Sequence, residues 1–210
     1  MHEPTHHTLE EESQLVQIRL QKLQQLRQMG LDPFAIERYE ITHTLQTVHD
    51  EYERLEGKTV SVAGRIVAIR RMGKATFAHL MDSTGKLQIY LKADEQGEKY
   101  DWIDLWDIGD YLGVRGFVFK TRTGEVTVHV QSFTMLAKAV RPVPFPKEKG
   151  EQRWYELHDV EQRYRQRYLD LLVNPDSRQR LIARCRMIRE IRRFLDERGF
   201  LEVETPVLQP

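Results

Sequence analysis

The sequence predicts a mainly β protein with added helices, in which a five-stranded barrel follows an N-terminal helical segment. Three observations support this prediction. The residue pattern between Lys58 and Val140 has a period of two, which is typical of β-strands. Glycine-containing turns divide this stretch into five strands. The segments on either side repeat their apolar residues at helical spacing, so helices should flank the barrel.

Composition and length exclude several classes of protein. The chain has 210 residues, of which 40% are hydrophobic and 30% charged, as in a soluble globular protein of one or two domains. No apolar run is long enough to span a membrane, and the acidic N-terminus MHEPTHHTLEEE does not resemble a secretory signal. A single cysteine, Cys185, excludes a disulfide framework and a cysteine-based zinc site. We therefore expect a cytoplasmic protein with no membrane partner and no metal site.

The N-terminal segment, residues 1–57, is predicted to be helical, with one helix over residues 13–29 and another over residues 41–56. It carries 5 Lys/Arg and 11 Asp/Glu, whereas the rest of the chain carries 27 Lys/Arg and 21 Asp/Glu, which permits a nucleic-acid-binding face. Three basic residues give the first helix a positive side: Arg19, Lys22 and Arg27. That side is either a solvated surface or a contact for a polyanion.

Residues 58–140 are predicted to form the barrel. The core-facing residues of the second, third and fifth strands should be Thr76, Ala78 and Leu80, then Leu87, Ile89 and Leu91, and finally Val126, Val128 and Val130. A helix-like stretch around residues 95–107 lies between the third and fourth strands. This is the plan of the OB-fold, which binds oligonucleotides across its second and third strands.

The remaining residues begin a different structure. Residues 141–153 contain three prolines and are expected to be a linker. A long helix is predicted over residues 178–198, with Asp176 or Ser177 as its N-cap, followed by a strand over residues 200–206. These elements are too few to bury a core of their own. The apolar stripe of the helix should therefore be covered by a partner chain or by further residues of a domain.

Several stretches of the sequence resemble one family. Residues 178–199 and the following GFLEVETP resemble motif 1 of class II aminoacyl-tRNA synthetases, the helix and strand that build the dimer interface of that family. Three more stretches are similar to lysyl-tRNA synthetases of the bacterial type: EQRYRQRYLDLLVNPDSR, RRMGKATFAHLMDSTGKLQIYL and DIGDYLGVRGFVFKTRTGEVTVHV. The resemblance implies that residues 154–210 are the truncated start of a class II catalytic domain. It also implies a homodimer in the full-length form, with Gly199, Phe200 and Pro206 at the interface.

The same resemblance implies that the barrel binds the anticodon of tRNA(Lys), chiefly its central uridine. Phe77 is expected to stack on a base, Gln88 to hydrogen-bond the uracil edge, and Glu125 to accept from a base donor, with Arg70 completing the set. The period of two independently places Phe77 and Gln88 on the outer face of the barrel. The alternatives are a barrel-end hydrophobe at Phe77, a plain surface residue at Gln88, a turn residue at Glu125 and a solvated charge at Arg70.

Catalysis in the resembled family uses ATP and Mg²⁺ to activate lysine before its transfer to tRNA. The residues responsible belong to motifs 2 and 3, and neither motif is found in these 210 residues. We therefore expect no catalytic residues and no cofactor within the chain, which should be inactive alone. Two other hypotheses stay open: a standalone tRNA- or RNA-binding paralogue without ligase activity, and a general single-strand-binding protein without base preference.

Overall fold

Two units make up the chain, Met1–Val143 and Pro144–Pro210. The structure, a computed structural model, describes residues 9–145, 147–149, 152–154, 157 and 159–206. Residues 1–8 and 207–210, which the sequence assigns to the N-terminal segment and to the start of the catalytic domain, lie outside the described residues. None of the helices described here has the length and apolar character needed to cross a membrane.

A closed five-stranded barrel forms the centre of the first unit. Its strands are β1 (Thr59–Met72), β2 (Ala75–Met81), β3 (Lys86–Lys92), β4 (Tyr111–Lys120) and β5 (Val126–Ala137). They close in the order β1-β2-β3-β5-β4, and every neighbouring pair is antiparallel except β3 and β5. The predicted OB-fold barrel is therefore confirmed. Gly73 and Gly124 supply the positive φ angles, 59° and 85°, of the two tight turns.

The barrel core contains the side chains that the period of two assigned to it. All nine predicted core residues of β2, β3 and β5 are buried: Thr76, Ala78, Leu80, Leu87, Ile89, Leu91, Val126, Val128 and Val130. In β1, a bulge between Ile66 and Ala68 interrupts the alternation. The bulge falls where β1 passes from pairing with β4 to pairing with β2, so one long strand serves both halves of the barrel.

Short helices complete the first unit. The helix predicted over residues 41–56 is two helices, α2 (Leu45–Asp50) and α3 (Tyr52–Leu55), because the backbone at Glu51 leaves the helical region. Their buried side chains belong to the barrel core: Leu45, Val48, Tyr52 and Leu55. The helix-like stretch between the third and fourth strands is confirmed as α4 (Ala93–Gln96) followed by a 3₁₀ helix (Gly97–Leu105).

The first helix, α1 (Leu9–Gln28), is held to the barrel by charged as well as apolar side chains. Arg19 donates to the carbonyl oxygen of Ala139 at 2.7 Å, and Lys22 pairs with the carboxylate of Asp107 at 2.8 Å. These residues are neither a solvated face nor a free contact for a polyanion, so both interpretations of the positive side were wrong for them. The sequence pattern could not reveal this because the partners lie more than 80 positions away.

In the second unit, two short strands, β6 (Lys147–Lys149) and β7 (Gln152–Trp154), pair within the segment predicted to be a linker. Three helices follow: α5 (Val160–Arg165), α6 (Arg167–Val173) and α7 (Pro175–Asp196). The predicted N-cap was wrong, since α7 begins at Pro175 with Asn174 before it. Proline at the first helical position has the required φ and needs no amide partner, so the helix can start earlier than the side-chain pattern indicates.

The strand predicted over residues 200–206 is not formed. Within the part of the chain that the structure describes, these residues pair with no strand, and all of them are exposed. A β-strand is stable only when a neighbouring strand bonds its backbone N–H and C=O groups. The apolar character of this segment therefore could not produce a strand by itself.

Candidate nucleic-acid interface

The strand register aligns a row of side chains across the outer face of the barrel. Arg70 of β1 lies opposite Phe77 of β2, and Phe77 lies opposite Tyr90 of β3. Tyr90 in turn pairs with His129 of β5, which lies opposite Phe117 of β4. Since side chains at paired positions point to the same face of a sheet, these five residues form one continuous row.

A second row lies two residues along each strand on the same face. His79 lies opposite Gln88, Gln88 lies opposite Thr127, and Thr127 lies opposite Phe119. Glu125 comes immediately before β5, next to this row. We call the two rows together with Glu125 the outer face. The four residues expected from the sequence to bind RNA are thus all located on it.

Aromatic rings dominate the first row. The ring centroids of Phe77 and Tyr90 are 4.9 Å apart, those of Tyr90 and His129 are 5.0 Å apart, and those of His129 and Phe117 are 4.5 Å apart. Phe119 of the second row lies 6.1 Å from Tyr90. All five rings are half-buried, so each keeps part of its surface open. A surface of this kind can stack unpaired bases, which all have a π-face.

Three members of this aromatic surface were missed in the sequence: Phe117, Phe119 and His129. The signal was present, since Phe117 and Phe119 alternate with the buried Val118 along β4. His129 likewise alternates with the buried Val128 and Val130 along β5. Tyr90 and His79 also lie on the outer face, opposite the expected residues Phe77 and Gln88.

Gln88 is almost fully buried although it lies on the outer face, with 8% of its surface exposed. Its side-chain Nε2 donates to Oγ1 of Thr127 at 2.9 Å, and Thr127 is fully buried. Gln88 is therefore not a plain surface residue. Its amide is held in one place by a side chain of the neighbouring strand.

Glu125 is a turn residue, and its carboxylate also contacts a side chain of the outer face. Its carboxylate accepts from Nε2 of His79 at 2.9 Å, and both side chains are exposed. Its backbone also closes the turn after β4, because its carbonyl oxygen accepts from the amide of Thr121 at 3.0 Å. The carboxylate keeps further lone pairs for a base donor.

The two arginines at the end of β1 differ. Arg70 is exposed on the outer face and makes no ion pair with any residue of the described ranges. Arg71 points to the other side, where it pairs with Asp104 and lies over the ring of Tyr100. Arg70 is thus the one of the two that adds positive charge to the aromatic surface.

A buried ion cluster lies at the C-terminal end of β5. The ammonium of Lys138 is fully buried and bonds Asp110 at 2.7 Å and also Asp107. Burial alone would raise the pKa of Asp107, but hydrogen bonds from Lys138 and Lys22 outweigh it and leave that pKa below its usual value. Asp107 is therefore ionised at neutral pH and ties α1 to the end of β5.

A second buried carboxylate organises the other unit. Asp170 of α6 accepts hydrogen bonds from Arg163 and Arg167 at 2.7 Å each, and from Asn174 and Ser177 near the start of α7. Its burial would raise its pKa, but the hydrogen bonds from Asn174, Arg163 and Ser177 keep it below the usual range. The ionised Asp170 thereby connects α5, α6 and α7.

The residues predicted for a dimer interface lie at the end of this unit. Gly199, with φ of 80°, follows α7, and Phe200 and Pro206 are exposed. The apolar stripe of α7 is exposed as well, with 53% of the surface of both Ile191 and Phe194 open.

Across the described ranges, no three His, Cys, Asp or Glu side chains come close enough to hold a metal ion.

One segment of each unit matches a known protein family. Residues 60–136 match a family described as "OB-fold nucleic acid binding domain", and residues 159–210 match "tRNA synthetases class II (D, K and N)". The barrel therefore matches an OB-fold domain, and the helices after it match a segment of class II tRNA synthetases.

The individual proteins to which the whole chain is similar are lysine–tRNA ligases. The chain is 50% identical over 202 residues to a lysine–tRNA ligase of Carboxydothermus hydrogenoformans and 48% identical over 203 residues to one of Moorella thermoacetica. Each match covers 96% of this chain and 40% of the relative. The chain is thus similar over nearly its whole length to lysine–tRNA ligases, and it spans about 40% of the length of these curated relatives.

Proposed function

We propose that the barrel binds the anticodon of tRNA(Lys) and supplies this recognition to a lysine–tRNA ligase. The outer face carries the proposal, because it combines an open aromatic surface with a fixed amide, a carboxylate and an arginine. Unpaired RNA bases are recognised by stacking on aromatic rings and by hydrogen bonds to their polar edges. The names of the relatives support lysine as the amino acid and its tRNA as the partner.

Each expected residue has a part in this proposal. Phe77 stacks on the central base, and Gln88 forms hydrogen bonds with its uracil edge. Glu125 accepts from an amino or imino group of a neighbouring base. Arg70, at the end of the row beside Phe77, attracts the phosphate backbone.

The whole enzyme would attach lysine to tRNA with ATP and Mg²⁺ in the cytoplasm. We assign this chemistry to motifs 2 and 3 of such an enzyme and derive no catalytic step from this chain. The proposed enzyme is a homodimer that uses Gly199, Phe200 and Pro206 with the apolar stripe of α7. Their exposure and the family match of this segment support that role.

Binding to anticodon stem-loops tests the proposal directly. The dissociation constants of the 210-residue chain are measured for a stem-loop with the anticodon UUU and for one with UCU. We expect tighter binding to UUU by at least about tenfold, the size of one or two lost hydrogen bonds. Equal affinity for the two would contradict anticodon recognition and favour a general single-strand-binding protein.

A further inference from the structure

We propose that Thr127 is a positioning residue that sets base selectivity by fixing the orientation of the Gln88 amide. The inference rests on the proposed function and adds a residue to it. Thr127 is fully buried, so it acts through Gln88 and does not touch the RNA itself.

The hydrogen bonds around Thr127 determine which way the amide of Gln88 faces. The Thr127 hydroxyl donates its single proton to the carbonyl oxygen of Glu125 at 3.1 Å. Its oxygen can then only accept, and it accepts from Nε2 of Gln88 at 2.9 Å. Rotating the amide by half a turn would place Oε1 against this oxygen, and Thr127 would have to give up its bond to Glu125.

This arrangement leaves the side-chain oxygen Oε1 of Gln88 free to accept a hydrogen bond. Within the described part of the chain Oε1 accepts no hydrogen bond, and it is not among the fully enclosed polar atoms. A free carbonyl oxygen matches the N3–H donor of uridine. Cytidine at the same place presents a lone pair at N3, so two acceptors would oppose each other. The Thr127 hydroxyl thereby favours uridine over cytidine at the base that Gln88 contacts.

The test uses four single variants and one double variant of the full chain, together with the UUU and UCU stem-loops. Thr127→Val keeps the shape and the β-branch but removes the hydroxyl, whereas Thr127→Ser keeps the hydroxyl. Thr134→Val makes the same change elsewhere on β5, opposite Gly113, and serves as the matched control. Gln88→Ala removes the amide itself. The readout is the ratio of the UCU to the UUU dissociation constant, with the melting temperature of each variant measured in parallel.

We expect Thr127→Val to lower this ratio about tenfold, to within about twofold of the ratio for Gln88→Ala. Thr127→Ser and Thr134→Val should keep the wild-type ratio within about twofold. Adding Thr127→Val to Gln88→Ala should cause no further loss, because the two residues act on the same contact. This pattern, at unchanged melting temperature, would establish the positioning role.

Three other outcomes would contradict the inference in different ways. A ratio that falls with Gln88→Ala but stays unchanged with Thr127→Val would overturn the role of Thr127 and leave anticodon recognition intact. A wild-type ratio of one would overturn the proposed function and, with it, this inference. An equal loss with Thr127→Val and Thr127→Ser would also contradict the inference, because the serine retains the hydroxyl.

Discussion

The two units of the chain differ in how they bury apolar side chains. In the barrel unit, the inward-facing residues of all five strands and of α2 and α3 form one closed core. In the second unit, Leu157 and Val173 are the buried hydrophobic residues among those described, whereas much of α7 is exposed. The barrel unit thus has a closed core of its own, whereas much of the apolar surface of the C-terminal unit is exposed.

The largest expected effect is on the free energy of unfolding, and it is tested by replacing an isoleucine in each of the two units. Ile89→Ala, in the barrel core, should lower the free energy of unfolding by about 3 kcal/mol, because it leaves a cavity among fully buried side chains. Ile191→Ala, on the exposed stripe of α7, should change it by less than about 0.5 kcal/mol. Denaturant unfolding at dilutions where the chain is monomeric measures both. Similar losses for the two would show that α7 is covered in solution.

A second effect concerns binding and should be confined to the barrel. Phe77→Ala should weaken binding of the UUU stem-loop by about 2 kcal/mol, which is the contribution of one stacked base. Phe34→Ala removes an exposed ring outside the outer face and should leave the affinity unchanged. Titration by fluorescence anisotropy measures both. A loss with Phe34→Ala as large as with Phe77→Ala would remove the case for a specific stacking site.

A third effect concerns the second unit alone. Asp170→Asn replaces a buried carboxylate that receives four side-chain partners, and we expect a loss of about 1.5 kcal/mol of local stability. Hydrogen exchange should become faster across α5, α6 and the start of α7, while the amides of β1–β5 keep their protection. Unchanged exchange in these helices would mean that Asp170 does not hold them together.

The smallest effect is a pH dependence of the attachment of α1. The pKa of Asp107 is lowered on folding from the ordinary value of 3.8, so its contribution is complete above that value and is lost as the pH falls through the folded pKa. The protection factors of the α1 amides, which are corrected for intrinsic exchange rates, should therefore fall below about pH 4, by an amount corresponding to about 1 kcal/mol. Asp107→Asn should show the faster exchange already at pH 7, with little further change in acid. A wild-type α1 whose protection is the same at pH 3 and pH 7 would contradict this.

Much of the barrel could be predicted from sequence because its signals are local. The period of two assigns Leu87, Ile89 and Leu91 to the core without knowledge of any partner, and Gly73 and Gly124 mark turns by their own conformations. The same period places Phe77 and Gln88 on the outer face. Such assignments need only a few neighbouring residues, so they were confirmed.

The features that were missed depend on contacts between distant residues. The hydrogen bond from Gln88 to Thr127 joins strands 39 positions apart, and the contact of Arg19 with Ala139 spans 120 positions. Neither can be derived from spacing along the chain. The strand predicted over residues 200–206 failed for the same reason, since a strand needs a partner that the local pattern does not supply.

The central claim is that the barrel, and not the C-terminal unit, binds the anticodon. Amide chemical shifts of the ¹⁵N-labelled chain during titration with the UUU stem-loop test it most directly. We predict that the shifts that change cluster at Arg70, Phe77, Gln88, Glu125 and His129, while those of α7 stay unchanged. Changes concentrated on α7, with the outer face of the barrel unaffected, would contradict the account.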